Sequence, residues 1–462
     1  MTEVEGKDAA SDIEAPLIEP IMEEPFMIDD YAIAQSMSGM LGSVILVVQV
    51  FAAAVIFLLF SYGKTEDFTT QQYIIFRDIM VMLLLGFGYR KLYFHSERCV
   101  CYKIRFSPSL LDSRISTTVM TFLEKYGLGA VGITLLLTAL NMECNLVIEN
   151  LLTGNYTITM ESLINAEFSA ATLLISFGAL IGRATPLQMC VLAVAESFFY
   201  ALNKVFIVFG IFNAEDVGGT LTIHMFGAFF GLAASYALGP QEKESASNNA
   251  ASRVSDVFSL VGTTLLWVYW PSFVGATETG VDTNEMHCLI NTIMALLGST
   301  GAAFYLSQYL NNGKFDAVHI QNSTLAGGVA IGATARLAIG PGVAFMVGLA
   351  AGSVSVLGYF YSSPYLEKEF GLYDTCGVAN LHGYPSVLGG LLSIFLVFVD
   401  SNADFLMHGV GSQFIYQALA VASTIVVAIS SGYFTGFTVL RNPASFAFVP
   451  DYEDAIWWVI EE

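Results

Sequence analysis

Apolar residues in this chain fall into runs of about 20, the length that crosses a hydrocarbon core of about 30 Å as helix. Twelve runs are read, near 41–62, 75–89, 126–148, 168–182, 186–212, 217–239, 255–275, 286–310, 318–338, 342–362, 379–399 and 414–438. The fourth is short, and Arg183 with Pro186 marks the turn into the fifth. The pattern predicts an all-α polytopic membrane protein of about twelve transmembrane helices. An even count puts both termini on one side. With the termini cytoplasmic, eight Lys and Arg lie inside and four outside, leaving 90–118 uncounted, as positive-inside expects. The chain divides into an acidic cytoplasmic tail over 1–35, a membrane domain over 36–438 and a cytoplasmic C-terminal tail over 439–462.

Composition sharpens this picture. Charged residues make up 13% of the chain and hydrophobic residues 55%, with a mean hydropathy of +0.63. The polar residues needed to cover soluble domains of this length are missing. Glycines sit inside the apolar runs, as in closely packed membrane helices. The net charge of −22 is partly local: residues 1–35 carry ten acids against Lys7 alone, with no signal-peptide pattern. They read as a disordered tail, and the acidic balance argues against a nucleic-acid partner. Six scattered cysteines form no repeated CxxC pair, so neither a disulfide framework nor a zinc site is expected, nor any cofactor. Residues 90–118 hold six of the eighteen bases and interrupt an apolar run. They read either as a basic cytoplasmic loop or as an intron translated in frame. The sequon Asn155-Tyr156-Thr157 falls in an outer loop, where Asn155 is a glycosylation candidate. Asn322-Ser323-Thr324 lies in an apolar run and should stay unmodified.

The most informative feature is internal. Residues 216–224 read DVGGTLTIH and residues 374–382 read DTCGVANLH, both fitting D-x-x-G-x-x-x-[IL]-H with a constant offset of 158 (374 − 216 = 382 − 224). The copies open spans six and eleven, which run in opposite directions, as an inverted-topology repeat around a central pore would leave them. Asp216 and Asp374 are expected to cap their helices, and Gly219 and Gly377 to permit close packing. Each His would lie two helical turns inside its Asp, near mid-membrane, where ionisable groups are rare and functional. Desolvation there favours neutral imidazoles able to donate to each other.

Read in order, the stretches FRDIMVMLLLGFGY (76–89), MTFLEKYGLGAVGITLLL (120–137), LINAEFSAATLLISFGALIG (163–182), SDVFSLVGTTLLWVYWPSF (255–273) and DAVHIQNSTLAGGVAIG (316–332) join the two repeats. With the terminal YEDAIWW (452–458) they resemble the Rh glycoprotein family of the ammonium transporter/Rh superfamily, across nearly the whole chain. The resemblance implies a homotrimer in the plasma membrane with one ammonia pore per subunit and ammonium as substrate. By position it implies a pore lined by His224, His382, Phe168, Phe273 and Asn322. It implies ammonium recruitment and proton release at Asp216, Asp374 and Glu167, the last standing where the family has Asp. Asp256, Asp316 and Glu367 match acids of the cytoplasmic vestibule, and the tail 451–458 matches a motif for cytoskeletal or adaptor contact. Two departures stand out. Lys204 replaces an acid and would put positive charge in the outer vestibule, and Tyr384 adds a hydroxyl close to His382. Trp267 and Trp270 read as packing or interface-belt residues.

The resulting expectation is a channel, not an enzyme, that strips ammonium of its proton and conducts ammonia. The rivals are a carbon dioxide channel of the same build, a non-conducting scaffold, and a membrane enzyme with metal-binding His/Asp pairs. Against the last, a spacing of eight sets each Asp and His too far apart to share one ion. His95, His287, His319 and His408 are isolated and read as structural or loop residues, His319 least securely because it lies in a matched stretch.

Overall fold

A computed structural model of the chain describes residues 28–62, 69–86, 127–239, 253–278, 282–400, 406–441 and 457–458. The stretch 90–118 and most of both tails lie outside the described residues. Helix α1 spans Ile28–Leu59, starting within the stretch read as a tail. It is followed by α2 (Thr70–Val81, extended by a π turn Met82–Gly86), α3 (Gly127–Thr153) and α4 (Met160–Leu180). Helix α5 (Pro186–Ala201) runs on in π geometry over Leu202–Ile211, and α6 (Phe226–Leu238) is preceded by a π turn, Thr220–Met225. Next come α7 (Arg253–Val274), α8 (Asp282–Leu310), and the short α9 (Ala317–Ser323) and α10 (Ala326–Ile331). The chain closes with α11 (Pro341–Leu357), α12 (Ser363–Phe370), α13 (Tyr384–Leu396, behind a π turn Ala379–Gly383) and α14 (Val410–Thr435). Among the described residues, nine helices are long and apolar enough to cross a membrane.

Two predicted spans are corrected. The fourth starts at Met160, not 168, because Thr159 and Ser162 form a reciprocal cap there. Glu161, Asn165 and Glu167 had masked that first half by lowering its hydropathy. The ninth, read as one helix over 318–338, is two short helices ending at Ile331. Non-helical backbone at membrane depth needs outside partners, and it finds them. Ser299 donates to the Thr324 carbonyl at 2.7 Å, Thr220 donates to the Val329 carbonyl at 2.7 Å, and Gly218 N donates to Gly332 O at 2.9 Å.

Helices α4 and α6 form the centre: 89% and 83% of their apolar windows are buried, against 6% for α1. Glycines let the helices close up. At Gly348 in α11 a Cβ would stand 1.9 Å from the Ala295 carbonyl of α8, so only a bare backbone fits. Besides helix, Ser61–Tyr62 pairs in parallel with Thr157–Ile158, tying the end of α1 to the loop that carries Asn155. The tail tryptophans Trp457 and Trp458 are half-buried, and Trp458 lies over Gly132 of α3.

Candidate functional site

The two repeats fold alike, though not as the spacing suggested. Asp216 and Asp374 sit in turns ahead of their helices. Asp216 accepts from the amides of Leu221 (2.9 Å) and Thr222 (2.8 Å), and from the Thr222 hydroxyl. Asp374 accepts from the amides of Val378 and Ala379, both at 2.9 Å. Gly219 and Gly377 both have φ of +70°, a left-handed conformation that reverses the chain between Asp and helix. Both glycines therefore serve the turn, and Gly377 also permits a close approach, since a Cβ there would stand 2.4 Å from the Tyr359 ring. Each His stands about one turn inside its helix instead of two, and each lies in a π turn. One such bond is direct: His224 N donates to Gly219 O, five residues back, at 2.9 Å. A π turn shifts the side chains that follow it relative to the helix axis and is common at functional sites.

The shift brings the histidines together. Their Nδ1 atoms are 3.2 Å apart, and the rings meet edge to edge, with centroids 5.2 Å apart and planes 12° from parallel. Both are buried. Phe273 lies 6.0 Å from the His224 ring and meets Phe168 edge-on at 5.1 Å. Phe168, Phe273, His224 and His382 thus form a continuous file of rings. Trp270 joins it, stacked on His224 at 5.6 Å and 1% exposed. Its reading as a packing residue holds, and what it packs on is the His224 ring. The signal for that contact was available, since Trp270 and Phe273 are three apart and share one face of α7.

On the Asp216 side the file ends in a vestibule of about 500 Å³ that Phe168, Asp216 and Thr222 line. Its wall carries five acids (Glu149, Glu161, Glu215, Asp216, Glu278) and two bases, Lys204 and Arg336. Lys204 does not make it positive, because its ammonium is held by Glu149 and Asn165, each at 2.8 Å. Arg336 grips Glu215 with two nitrogens and Glu278 with a third, at 2.9 Å. Burial pushes the Asp216 carboxyl up to about 7 against the pull of its amide bonds, and the Asp374 carboxyl up to about 6 for the same reason.

The remaining candidates are less concentrated. Glu167 is fully buried in α4, and neither carboxyl oxygen has a partner among the described residues. Asn322 is buried, donating to the Val318 carbonyl of its own helix at 3.0 Å. Asp316 caps α9, accepting from Val318 N at 2.8 Å, and Gln321 of that helix donates to the Asp256 backbone carbonyl at 3.2 Å, which ties the start of α7 to α9. His319 is buried there, 5.9 Å from the Tyr359 ring, whose hydroxyl donates to Gly377 O at 3.1 Å. Glu367 is exposed on α12. The Tyr384 hydroxyl bonds Ser362, which engages it away from the histidine pair. Asn155 is exposed and accepts from Thr157 N at 3.2 Å. Among the described residues no three His, Cys, Asp or Glu are grouped to hold a metal.

Comparison with known proteins supplies a context for this geometry. The profile of the Ammonium Transporter Family matches residues 40–442. Ammonium transporter Rh type A of Bos taurus is 36% identical over 404 residues, 85% of each chain. Ammonium transporter Rh type B-B of Xenopus laevis is 34% identical, over 83% of this chain and 81% of its own. The solved structure of Nitrosomonas europaea Rh50, a channel of the Rhesus protein family, superposes with a TM-score of 0.70 at 29% identity, covering 86% of this chain and 94% of Rh50. A sensor Amt protein shares the fold at a TM-score of 0.61 and 16% identity.

Proposed function

Because the chain belongs to the ammonium transporter family, on its Rh branch, we propose that it conducts ammonia through the file of rings between Asp216 and Asp374. The observation that carries this reading is the contact of His224 with His382 behind the Phe168–Phe273 pair. Moving a bare ammonium-sized ion into a low-dielectric medium costs on the order of 20 kcal/mol by Born estimates, less after relaxation. Transferring a neutral amine without its hydrogen bonds costs about 2–7 kcal/mol, and facing imidazoles return part of that. Ammonium is therefore drawn into the acidic vestibule, gives up its proton near Asp216 and passes Phe168 and Phe273 as ammonia. It then moves along His224 and His382 and is protonated again at the mouth that holds Asp374, Asp316 and Asp256. Glu167 and Asn322 act by positioning the wall, and Glu367 marks the exposed rim.

In this reading the Asp216 mouth faces outward, both termini are cytoplasmic, and three subunits assemble in the plasma membrane, each with its own pore. The bias of Lys and Arg supports that orientation. Asn155 lies beside the outer vestibule as a glycosylation site. The test is stopped-flow of the purified protein in liposomes, reading internal pH after an ammonium jump. Alkalinisation faster than in empty liposomes, and lost in the His224→Ala/His382→Ala double variant, is the expected result. Equal rates with and without protein overturn the reading.

A further inference from the structure

A second polar feature runs beside the file of rings without touching it. One face of α3 carries Thr134, Thr138, Asn141, Asn145 and Glu149, spaced at 4, 3, 4 and 4 residues, a stripe that stays on one side of a helix. It faces α5. Asn141 donates to Ser197 Oγ at 2.8 Å, and Lys204 donates to Glu149 at 2.8 Å. These two bonds are eight residues apart on α3 and seven on α5, so the helices run in parallel register. Asn145 and Tyr200 lie halfway between, about 6 Å along the axis from either bond.

The seam is buried yet unsatisfied. Thr138, Asn141, Asn145, Glu196 and Tyr200 are each at most 1% exposed. Nevertheless Thr138 Oγ1, Asn141 Oδ1, Asn145 Nδ2, Glu149 Oε2, Glu196 Oε2 and Tyr200 Oη have no partner among the described residues. Buried polar atoms in folded proteins are almost always bonded, to protein or to internal water. Here four of them, on Thr138, Asn141, Asn145 and Glu149, follow one face of α3, Tyr200 lies across from Asn145, and Glu196 is next to Ser197, the partner of Asn141. At the end of that face, Glu149 lines both the vestibule and a polar cavity of about 200 Å³, which Asn145 also lines.

Glu196, level with Asn141, has its own chemistry. Ser176 Oγ stands 2.6 Å from Glu196 Oε1 and 2.9 Å from the Gly227 carbonyl. A hydroxyl has one hydrogen and can donate to only one of them. Both contacts are hydrogen bonds if the hydroxyl donates to Gly227 and a protonated Glu196 donates to the hydroxyl. A neutral carboxyl also suits a side chain whose one recorded bond is to Ser176. Gly227 lies three residues beyond His224 on the same rod.

We propose that the seam between α3 and α5 binds a file of water leading from the vestibule to Glu196, a protonated carboxyl that exchanges its proton along it. If ammonia is conducted as argued above, the seam gives the proton left by ammonium a place to go other than the paired imidazoles. The site itself does not depend on that reading.

Infrared spectroscopy of the full-length protein in liposomes, in the absence of ammonium, tests it. A protonated carboxyl gives a carbonyl stretch distinct from that of a carboxylate, and this band shifts when its hydrogen is replaced by deuterium. In the wild-type minus Glu196→Gln difference spectrum, one component of this band is expected, and it should shift within seconds of transfer to D₂O. Closing the seam with Asn141→Leu/Asn145→Leu is expected to slow that shift at least tenfold. A band unchanged in intensity between wild type and Glu196→Gln overturns the protonated carboxyl. A wild-type shift that takes hours overturns the water file, and that measurement needs no seam variant to fold. Unaltered exchange in a folded double variant overturns the route.

Discussion

The Nδ1 atoms of His224 and His382 face each other at 3.2 Å, although 158 residues separate them. Two neutral imidazoles can meet in this way only if one carries its hydrogen on Nδ1 and the other on Nε2. The pair therefore holds one hydrogen between the rings and presents one donor and one acceptor on its outer edges. His224 Nε2 has no partner among the described residues and is one of those edges. Replacing either ring by Ala is expected to lower ammonia flux several-fold, and replacing both to abolish saturable flux. Rates from stopped-flow alkalinisation of proteoliposomes check this.

Asp216 should make recruitment depend on external pH. Burial lifts its carboxyl to about 7, so it is neutral below that pH and anionic above it. Apparent affinity for a charged analogue such as methylammonium should rise as external pH increases through 7, and Asp216→Asn should flatten that rise. A profile that keeps its step in the variant would assign the titration to another group.

The two repeat glycines should tolerate substitution unequally. Both have φ of +70°, which costs an L residue about 1–2 kcal/mol. At Gly219 a Cβ would meet the flexible Ile223 side chain of its own turn, whereas at Gly377 it would meet the buried Tyr359 ring at 2.4 Å. Gly377→Ala should therefore lower the thermal midpoint more than Gly219→Ala. Thermal unfolding of the two variants in the same detergent decides it.

Arg336 is the fourth point of leverage. It binds Glu215, which is 2% exposed, together with Glu278. Arg336→Met would leave the first carboxylate buried and unpaired, at a cost of about 3 kcal/mol. The double variant Arg336→Met/Glu215→Gln should recover much of that loss. Equal midpoints for the single and double variants would show that the fork is not what stabilises the mouth.

Much of this architecture was legible in the sequence because a bilayer demands long apolar runs, and the repeated Asp–His pattern survived in both halves. What escaped detection was decided by contacts between distant segments. The break between α9 and α10 depends on hydroxyls of Ser299 and Thr220, which are invisible to a hydropathy window. The one-turn depth of the histidines depends on two left-handed glycines, and spacing alone cannot tell a turn from helix. Lys204 looked like a misplaced charge because Glu149, its partner, lies 55 residues away. Trp270 was hidden for a different reason: belt tryptophans are common in membrane helices, and only the proximity of His224 sets this one apart.

The short pairing of Ser61–Tyr62 with Thr157–Ile158 bears on α1. This helix buries 6% of its apolar window within the subunit, so the remaining rods enclose the ring file without its help. On the twelve-span reading of the sequence, losing α1 would leave an odd number of crossings, so the two ends of the chain would fall on opposite faces. On that reading the helix is an adaptor of polarity, and the pathway is left to the helices that follow.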